Sequence, residues 1–375
     1  MVTKAKKPEW AQDNSNTFAS SVIPGVSGGH DGNAAYHPRM TQNPPKKNVS
    51  KKKLTQTDYI QGILNQDRAI LGRAITLIES HSNRHREMAQ NILDELTPYT
   101  GKSIRVGITG IPGVGKSSFI EALGCLLLEK GHRPAVLAVD PSSVITGGSI
   151  MGDKTRMEKL SRDRRCFIRP SPSSGTLGGV AQKTRETMMI CEAAGFDVIL
   201  IETVGVGQSE ITVRSMVDFF LLLMLANAGD ELQGIKKGII EMADALLINK
   251  ADGDNKIRSE TAKNEFERAL HYLQPATDGW QPHVYTCSAQ TGHGIAEIWD
   301  VILEFCSSTK QSGMFDNQRN KQALKWFYSL IEDQLKHMFY QNPEIKRKLP
   351  EIESEISEKK LSPTSAANRM MSVFY

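Results

Sequence analysis

The sequence predicts an α/β fold built on a doubly wound, mostly parallel sheet, and three observations carry that expectation. Seven short apolar runs alternate with helical patterns between residues 101 and 308. The runs are continuously apolar, as strands buried on both faces are. The first of them leads into Gly110-Ile-Pro-Gly-Val-Gly-Lys-Ser117, a glycine-rich turn set between a strand and a helix.

The elements follow in order. Residues 1–53 are rich in Gly, Ser, Asn, Pro and Lys, with few apolar residues and no periodicity. Such a segment buries too little surface to offset its ordering entropy, so it reads as a disordered basic tail. Residues 54–100 form an N-terminal helical element, because Ile60, Ile63, Leu64, Ile70, Leu71, Ile75, Leu77 and Ile78 recur at helical spacing before Pro98 and Gly101. Strands are expected at Ile104–Thr109, Ala135–Asp140, Cys166–Arg169, Val198–Glu202, Phe219–Leu225, Ala245–Asn249 and Val284–Ser288. After residue 308 strand signals stop. Residues 309–375 read as a helical extension, with Trp326, Phe327, Leu330, Ile331, Leu335 and Phe339 on one stripe. Met370, Met371, Val373, Phe374 and Tyr375 leave an apolar tip that favours a partner surface.

Charge and cysteine usage exclude several functions. Residues 1–53 carry nine Lys/Arg against three Asp/Glu, +6, which leaves −2 for the rest of a chain whose net charge is +4. A near-neutral folded part argues against a nucleic-acid groove. Five scattered cysteines, odd in number and without a CxxC pair, fit a reducing compartment. His81 and His85 share a helix face but lack an obvious third ligand, so they read as surface residues. With no apolar targeting segment or long membrane span, the chain is expected in the cytoplasm, or in the mitochondrial matrix of a eukaryote.

The chemistry sits at the strand ends. Gly110, Gly113 and Gly115 lack a Cβ, so the backbone can wrap around phosphate oxygens and aim its N–H groups inward. Lys116 supplies a point charge to the β/γ-phosphates, Ser117 offers its hydroxyl to Mg²⁺, and the following helix directs the positive end of its dipole at the same anion. These are the marks of a P-loop NTPase. Asn249-Lys-Ala-Asp252 follows a buried strand, and a carboxylate at Asp252 can accept from the ring N–H and exocyclic amine of guanine, where adenine offers an acceptor. Ser288-Ala289, before Gly292 and Gly294, is placed to support the base through backbone N–H groups. Asp140 and Glu202 stand at the ends of their strands, where oxygen ligands reach a metal directly or through water. Asp140 could equally cap a helix. Gly205 can bring its N–H to the γ-phosphate, and the water-orienting glutamine that follows the switch glycine in Ras-like enzymes is replaced by Val206.

Five segments in this order, 107–118, 140–143, 147–157, 202–210 and 229–238, resemble one family: the GTPases known as MeaB, ArgK or MMAA, chaperones of methylmalonyl-CoA mutase and related adenosylcobalamin enzymes. The resemblance runs from about Leu54 to the C-terminus. It implies binding of GTP and GDP through Gly110, Gly113, Val114, Gly115, Lys116, Ser117, Ser118, Gly205, Asn249, Lys250, Asp252, Ser288 and Ala289. It implies Mg²⁺ at Ser117, Asp140, Asp153 and Glu202, and catalysis by Lys116 with Asp230, Gln233 and Lys236 of a third switch. Lys236 would then replace the absent glutamine by stabilising transition-state charge. It further implies a homodimer through C-terminal helical arms, a partner acyl-CoA mutase of the adenosylcobalamin-dependent kind, and gating of cofactor loading and of exchange of damaged cofactor. The competing readings are a metallochaperone-type GTPase and a phosphotransferase linked to basic amino-acid transport.

Overall fold

The first strand lies at the centre of seven, and the order β3-β2-β4-β1-β5-β6-β7 places its carboxyl end between two crossovers. A computed structural model describes residues 54–80, 82–139, 157–171, 177–203, 209–226 and 237–374. The expected tail over residues 1–53 lies outside them. The strands are β1 (Ile104–Gly110), β2 (Pro134–Val139), β3 (Phe167–Ser171), β4 (Val198–Thr203), β5 (Phe219–Leu225), β6 (Ala245–Asn249) and β7 (Val284–Thr286). Every pairing is parallel, so the expected "mostly parallel" sheet is wholly parallel among the described residues.

Burial on both faces explains the continuous apolar runs. Because side chains alternate along a strand, Val198, Leu200, Phe219 and Leu221 face one layer of helices, while Ile199, Ile201 and Phe220 face the other. The first layer holds α4 (Lys116–Glu129), α5 (Glu158–Arg162) and α10 (Ile295–Gln311), which bring Phe119, Leu160 and Trp299 onto the sheet. The second holds α1 (Gln56–Leu64), α2 (Arg68–Glu79), α3 (Asn83–Leu96), α6 (Leu177–Ala193) and α7 (Ser209–Arg214). A short helix α8 (Lys237–Ile240) precedes β6, and α9 (Asn255–Leu270) covers Leu222, Met224, Leu246 and Ile248 through Phe266.

The N-terminal helical element consists of three α-helices. Thr55 and Asp58 cap α1 reciprocally, and Asp67 caps α2 by accepting from the Ala69 and Ile70 N–H groups at 2.8 and 3.2 Å. Between them Gln66 takes a left-handed φ of 64°, which ends the first helix without a glycine.

Helix α11 (Met314–Gln341) is fastened by its first turns. Arg319 donates to both carboxylate oxygens of Asp218 at 2.7 Å and to the carbonyls of Gly101 and Ser103 at 2.5 and 2.6 Å. Gln318 and Gln322 donate to the Val217 carbonyl at 3.2 and 2.8 Å. Beyond this, α12 (Pro343–Ser357) and α13 (Pro363–Phe374) pack on the end of α11 through Ile345, Ile352, Ala366 and Met370. The apolar C-terminal tip is thus used mostly internally: Met370 is buried, Phe374 lies 5.4 Å from the Phe339 ring, and Met371 stays exposed. Along α11 itself Leu324, Phe327, Tyr328, Leu335 and Met338 are exposed.

Arg319→Leu would leave Asp218 buried without its ion partner, a loss of about 3–5 kcal/mol for a broken buried pair. Urea unfolding is expected to report that loss, and a change below about 1 kcal/mol would place the anchor elsewhere.

Candidate functional site

At the carboxyl end of β1 the backbone conformation required of the glycine-rich turn is present. Gly110 has φ 150° and Gly115 φ 96°. A Cβ on Gly110 would stand 2.5 Å from the Leu223 carbonyl oxygen, and one on Gly115 would stand 2.7 Å from Asn249 Nδ2. Neither position accepts another residue without displacing its neighbour. Helix α4 starts at Lys116, so its free N–H groups and the positive end of its dipole face the turn.

Lys116 is buried, and its amine donates to the Gly110 carbonyl at 2.8 Å and the Ile111 carbonyl at 3.2 Å. Burial pulls its pKa below the ordinary lysine value, while the carboxylates of Glu202 and Glu210 act against that shift. The cation is thus held inside the turn, ready for an anion. Ser117 donates its hydroxyl to Glu202 Oε1 at 2.9 Å, which joins the first turn of α4 to the end of β4. One residue on, Thr203 Oγ1 donates to Thr109 Oγ1 at 2.8 Å and ties β4 to β1 beneath the turn.

The base-side loop comes from β6 and β7, more than 130 residues away in sequence. Asn249 Nδ2 donates to the Val114 carbonyl at 2.8 Å, and its Oδ1 accepts from the Ala289 N–H at 3.4 Å. Lys250 has a left-handed φ of 62° and donates from Nζ to the Gly113 carbonyl at 2.9 Å. Asp252 accepts from the Ser288 hydroxyl, which itself accepts from the Thr291 N–H at 3.2 Å. One carboxylate oxygen is thereby fixed, and the orientation of the other follows. Strand β7 stops at Thr286, short of the expected Ser288, because Ser288 turns to pair with His293 and Gly292. A cleft of about 650 Å³ opens beside these loops, lined by Ser118, Glu121, Cys125, Lys159, Ala289 and Thr291.

The structure therefore brings together Gly110, Gly113, Val114, Gly115, Lys116, Ser117 and Glu202, the group expected to meet the phosphates. Asn249, Lys250, Asp252, Ser288 and Ala289 come together as the group expected to meet the base. Asp140, Asp153, Gly205, Asp230, Gln233 and Lys236 lie outside the described residues. Sequence reading missed Glu210, whose buried carboxylate on α7 acts on Lys116. It also missed the Thr109–Thr203 bond. Thr109 directly precedes Gly110 and Thr203 directly follows Glu202, so neighbourhood to a motif was the available signal.

Comparison with known proteins agrees with this geometry. The family described as Methylmalonyl Co-A mutase-associated GTPase MeaB matches residues 71–344. GTPase ArgK of Escherichia coli is 46% identical over 316 residues, 84% of this chain and 96% of its own. Methylmalonic aciduria type A homolog, mitochondrial, of Mus musculus is 46% identical over 323 residues, 84% of this chain and 78% of its own. A crystal structure described as a LAO/AO transport system kinase superposes with a TM-score of 0.68 at 39% identity, covering 85% of this chain and 97% of that one. The fold, the braced pair of loops and these relatives agree that this chain belongs to the MeaB family of GTPases and is a GTP-hydrolysing enzyme.

Proposed function

We propose that this GTPase is a chaperone of an adenosylcobalamin-dependent acyl-CoA mutase of the methylmalonyl-CoA type, gating the loading of its cofactor and the exchange of damaged cofactor. The observation that carries the reading is membership over residues 71–344 in a family described by association with that mutase.

A Mg²⁺ ion would be held by Ser117 and Glu202, with Asp140 and Asp153 completing the set. The donor chemistry fits, since both described groups offer oxygen to a hard cation. Such an ion, when bound, would supply positive charge against the β- and γ-phosphates. The chain's own groups do the rest: the turn holds the phosphates with Lys116, Asp252 holds guanine, and Gly205 meets the γ-phosphate. Lys236, with Asp230 and Gln233, approaches the transferring phosphoryl group when the mutase engages, which makes hydrolysis slow alone and faster in the complex.

The working unit is a homodimer through the C-terminal arm. An exposed row of Leu324, Phe327, Tyr328, Ile331, Leu335 and Met338 on α11 supports this, being a large apolar surface for a single soluble chain. The name of the transport-system relative keeps one competing reading in view, a phosphotransferase. Transfer of labelled γ-phosphate to an acceptor, in place of release as inorganic phosphate, would favour it.

Three outcomes follow. Asp252→Asn loses GTP affinity by about 10- to 100-fold, the worth of a hydrogen bond to a charged group, and gains affinity for xanthosine triphosphate, as read by calorimetric titration. Unaltered preference for GTP would remove Asp252 from base recognition. Lys236→Ala keeps GTP binding but loses the mutase-stimulated rate by about 100-fold or more; full stimulation in the variant would exclude that lysine. Phe327→Glu combined with Ile331→Glu gives a monomer by light scattering while hydrolysis without the mutase continues, and a persistent dimer would move the interface off α11.

A further inference from the structure

One buried cation has no part in the site described above. Arg185, on α6, is 7% exposed, and among the described residues no carboxylate pairs with it. Its bonds go to neutral groups on two other elements. One terminal nitrogen donates to the Ser215 carbonyl at 2.7 Å and to Ser215 Oγ at 2.8 Å. The other donates to the backbone carbonyl of Gln322 at 3.2 Å, and the guanidinium lies 5.5 Å from the centre of the Trp326 ring. Burial, with Arg105 nearby, draws the guanidinium down to about 10, so it remains charged at neutral pH. A buried charge without a counter-ion is expensive, and simple packing would be better served by an apolar side chain.

The two groups it joins differ in what they follow. Ser215 is the residue after α7, and α7 begins at Ser209, a few residues beyond Glu202. The opposite end of α7 carries Glu210, whose charge acts on Lys116. Arg214 holds the last turn of α7 to Asp244 at 2.8 and 3.1 Å. Gln322 and Trp326 belong to α11, just past the Arg319 anchor. Serine and arm therefore meet on a single guanidinium.

We propose that Arg185 is a positioning residue that couples the nucleotide site to the C-terminal arm: a change of α7 on nucleotide binding is passed through the Ser215–Arg185–Gln322/Trp326 contacts to α11. By linkage, whatever holds the arm then alters the affinity for nucleotide by the same factor. The proposal rests on guanine-nucleotide binding at the loop and does not depend on which protein is the client.

Hydrogen–deuterium exchange of the full-length protein, with GDP and with a non-hydrolysable GTP analogue, tests it. In the unmodified protein, exchange differs between the two nucleotides in residues 209–216 and also in residues 322–330, by about fivefold or more, the lower end of ordinary coupling. In Arg185→Met the difference persists in 209–216 and disappears in 322–330. Arg185→Lys, which keeps the charge but cannot span both partners, retains part of it. Trp326→Leu weakens the α11 response without touching Ser215, and it decides the matter should Arg185→Met fold poorly. Nucleotide retention is measured on the same samples. An arm that ignores the nucleotide in the unmodified protein, or one that still responds in Arg185→Met or fully in Trp326→Leu, overturns the proposal. Failure to bind nucleotide would remove the GTPase reading itself, whereas binding with a silent arm removes this inference alone.

Discussion

The contact between Asn249 and the phosphate loop is the constraint on which the site depends. The amide of Asn249 donates to the Val114 carbonyl, and Gly115 is the residue that lets it come so close. Lys250 repeats the link one residue on, to Gly113. Two loops far apart in sequence are thereby locked together by direct bonds. A ligand that touched both would find them already ordered, so its binding free energy would not be spent on ordering them. Gly115 therefore serves both loops at once, since a Cβ there would stand 2.7 Å from Asn249 Nδ2.

A second regularity concerns the two ends of the sheet. Buried carboxylates and arginines cluster at the amino ends of the strands. Arg105 in β1 donates to Glu192 at 2.8 and 3.0 Å, Asp218 precedes β5, and Asp244 precedes β6 and accepts from Arg214 and Thr277. Glu192 is held below the usual carboxylate range: burial alone would push it up, but the bonds from Arg105, Ser103 and the Gly101 N–H outweigh that. The carboxyl ends have no such cross-linking among the described residues beyond the loop brace and the Ser117–Glu202 and Thr109–Thr203 bonds. Stability is concentrated at one edge and ligand chemistry at the other, as open α/β sheets require.

The sequence is most legible where one physical demand dominates. Phe219–Leu225 and Ala245–Asn249 read correctly at both ends because burial on two faces leaves an unbroken apolar run bounded by Asp218 and Asp244 before them. The break between α1 and α2 was hidden, since it rests on a left-handed Gln66, a conformation no sequence rule assigns to glutamine. The end of β7 was overrun for a similar reason: Ser288 has the composition of the strand's end but is drawn into a turn by its bonds to His293 and Gly292. Within the site, the structure brings the glycine-rich turn and the Asn249–Asp252 loop together, and the residues of these two motifs were readable. The residues that position them were not. Lys250 reaches Gly113 only because of its own backbone conformation, and Arg185 gains its meaning from three helices that meet in space alone.

The placement of the arm's anchor gives the Arg185 contacts their leverage. Arg319, Gln318 and Gln322 fix α11 to the chain between α7 and β5, whereas residues beyond Trp326 run on without comparable bonds to the sheet among the described residues. From Gln322 to Gln341 the helix extends about 28 Å at 1.5 Å per residue. A tilt of about 5° at the anchored end moves the far end by roughly 2.5 Å, which repacks a side-chain contact but leaves each anchor bond within reach. Helices α12 and α13 share a core with that far end and must move with it. On the proposed coupling, such a tilt would alter the surface the arm presents while the anchor holds. The four bonds of Arg319 supply that rigidity, and the ion pair that stabilises the arm also makes it an effective lever.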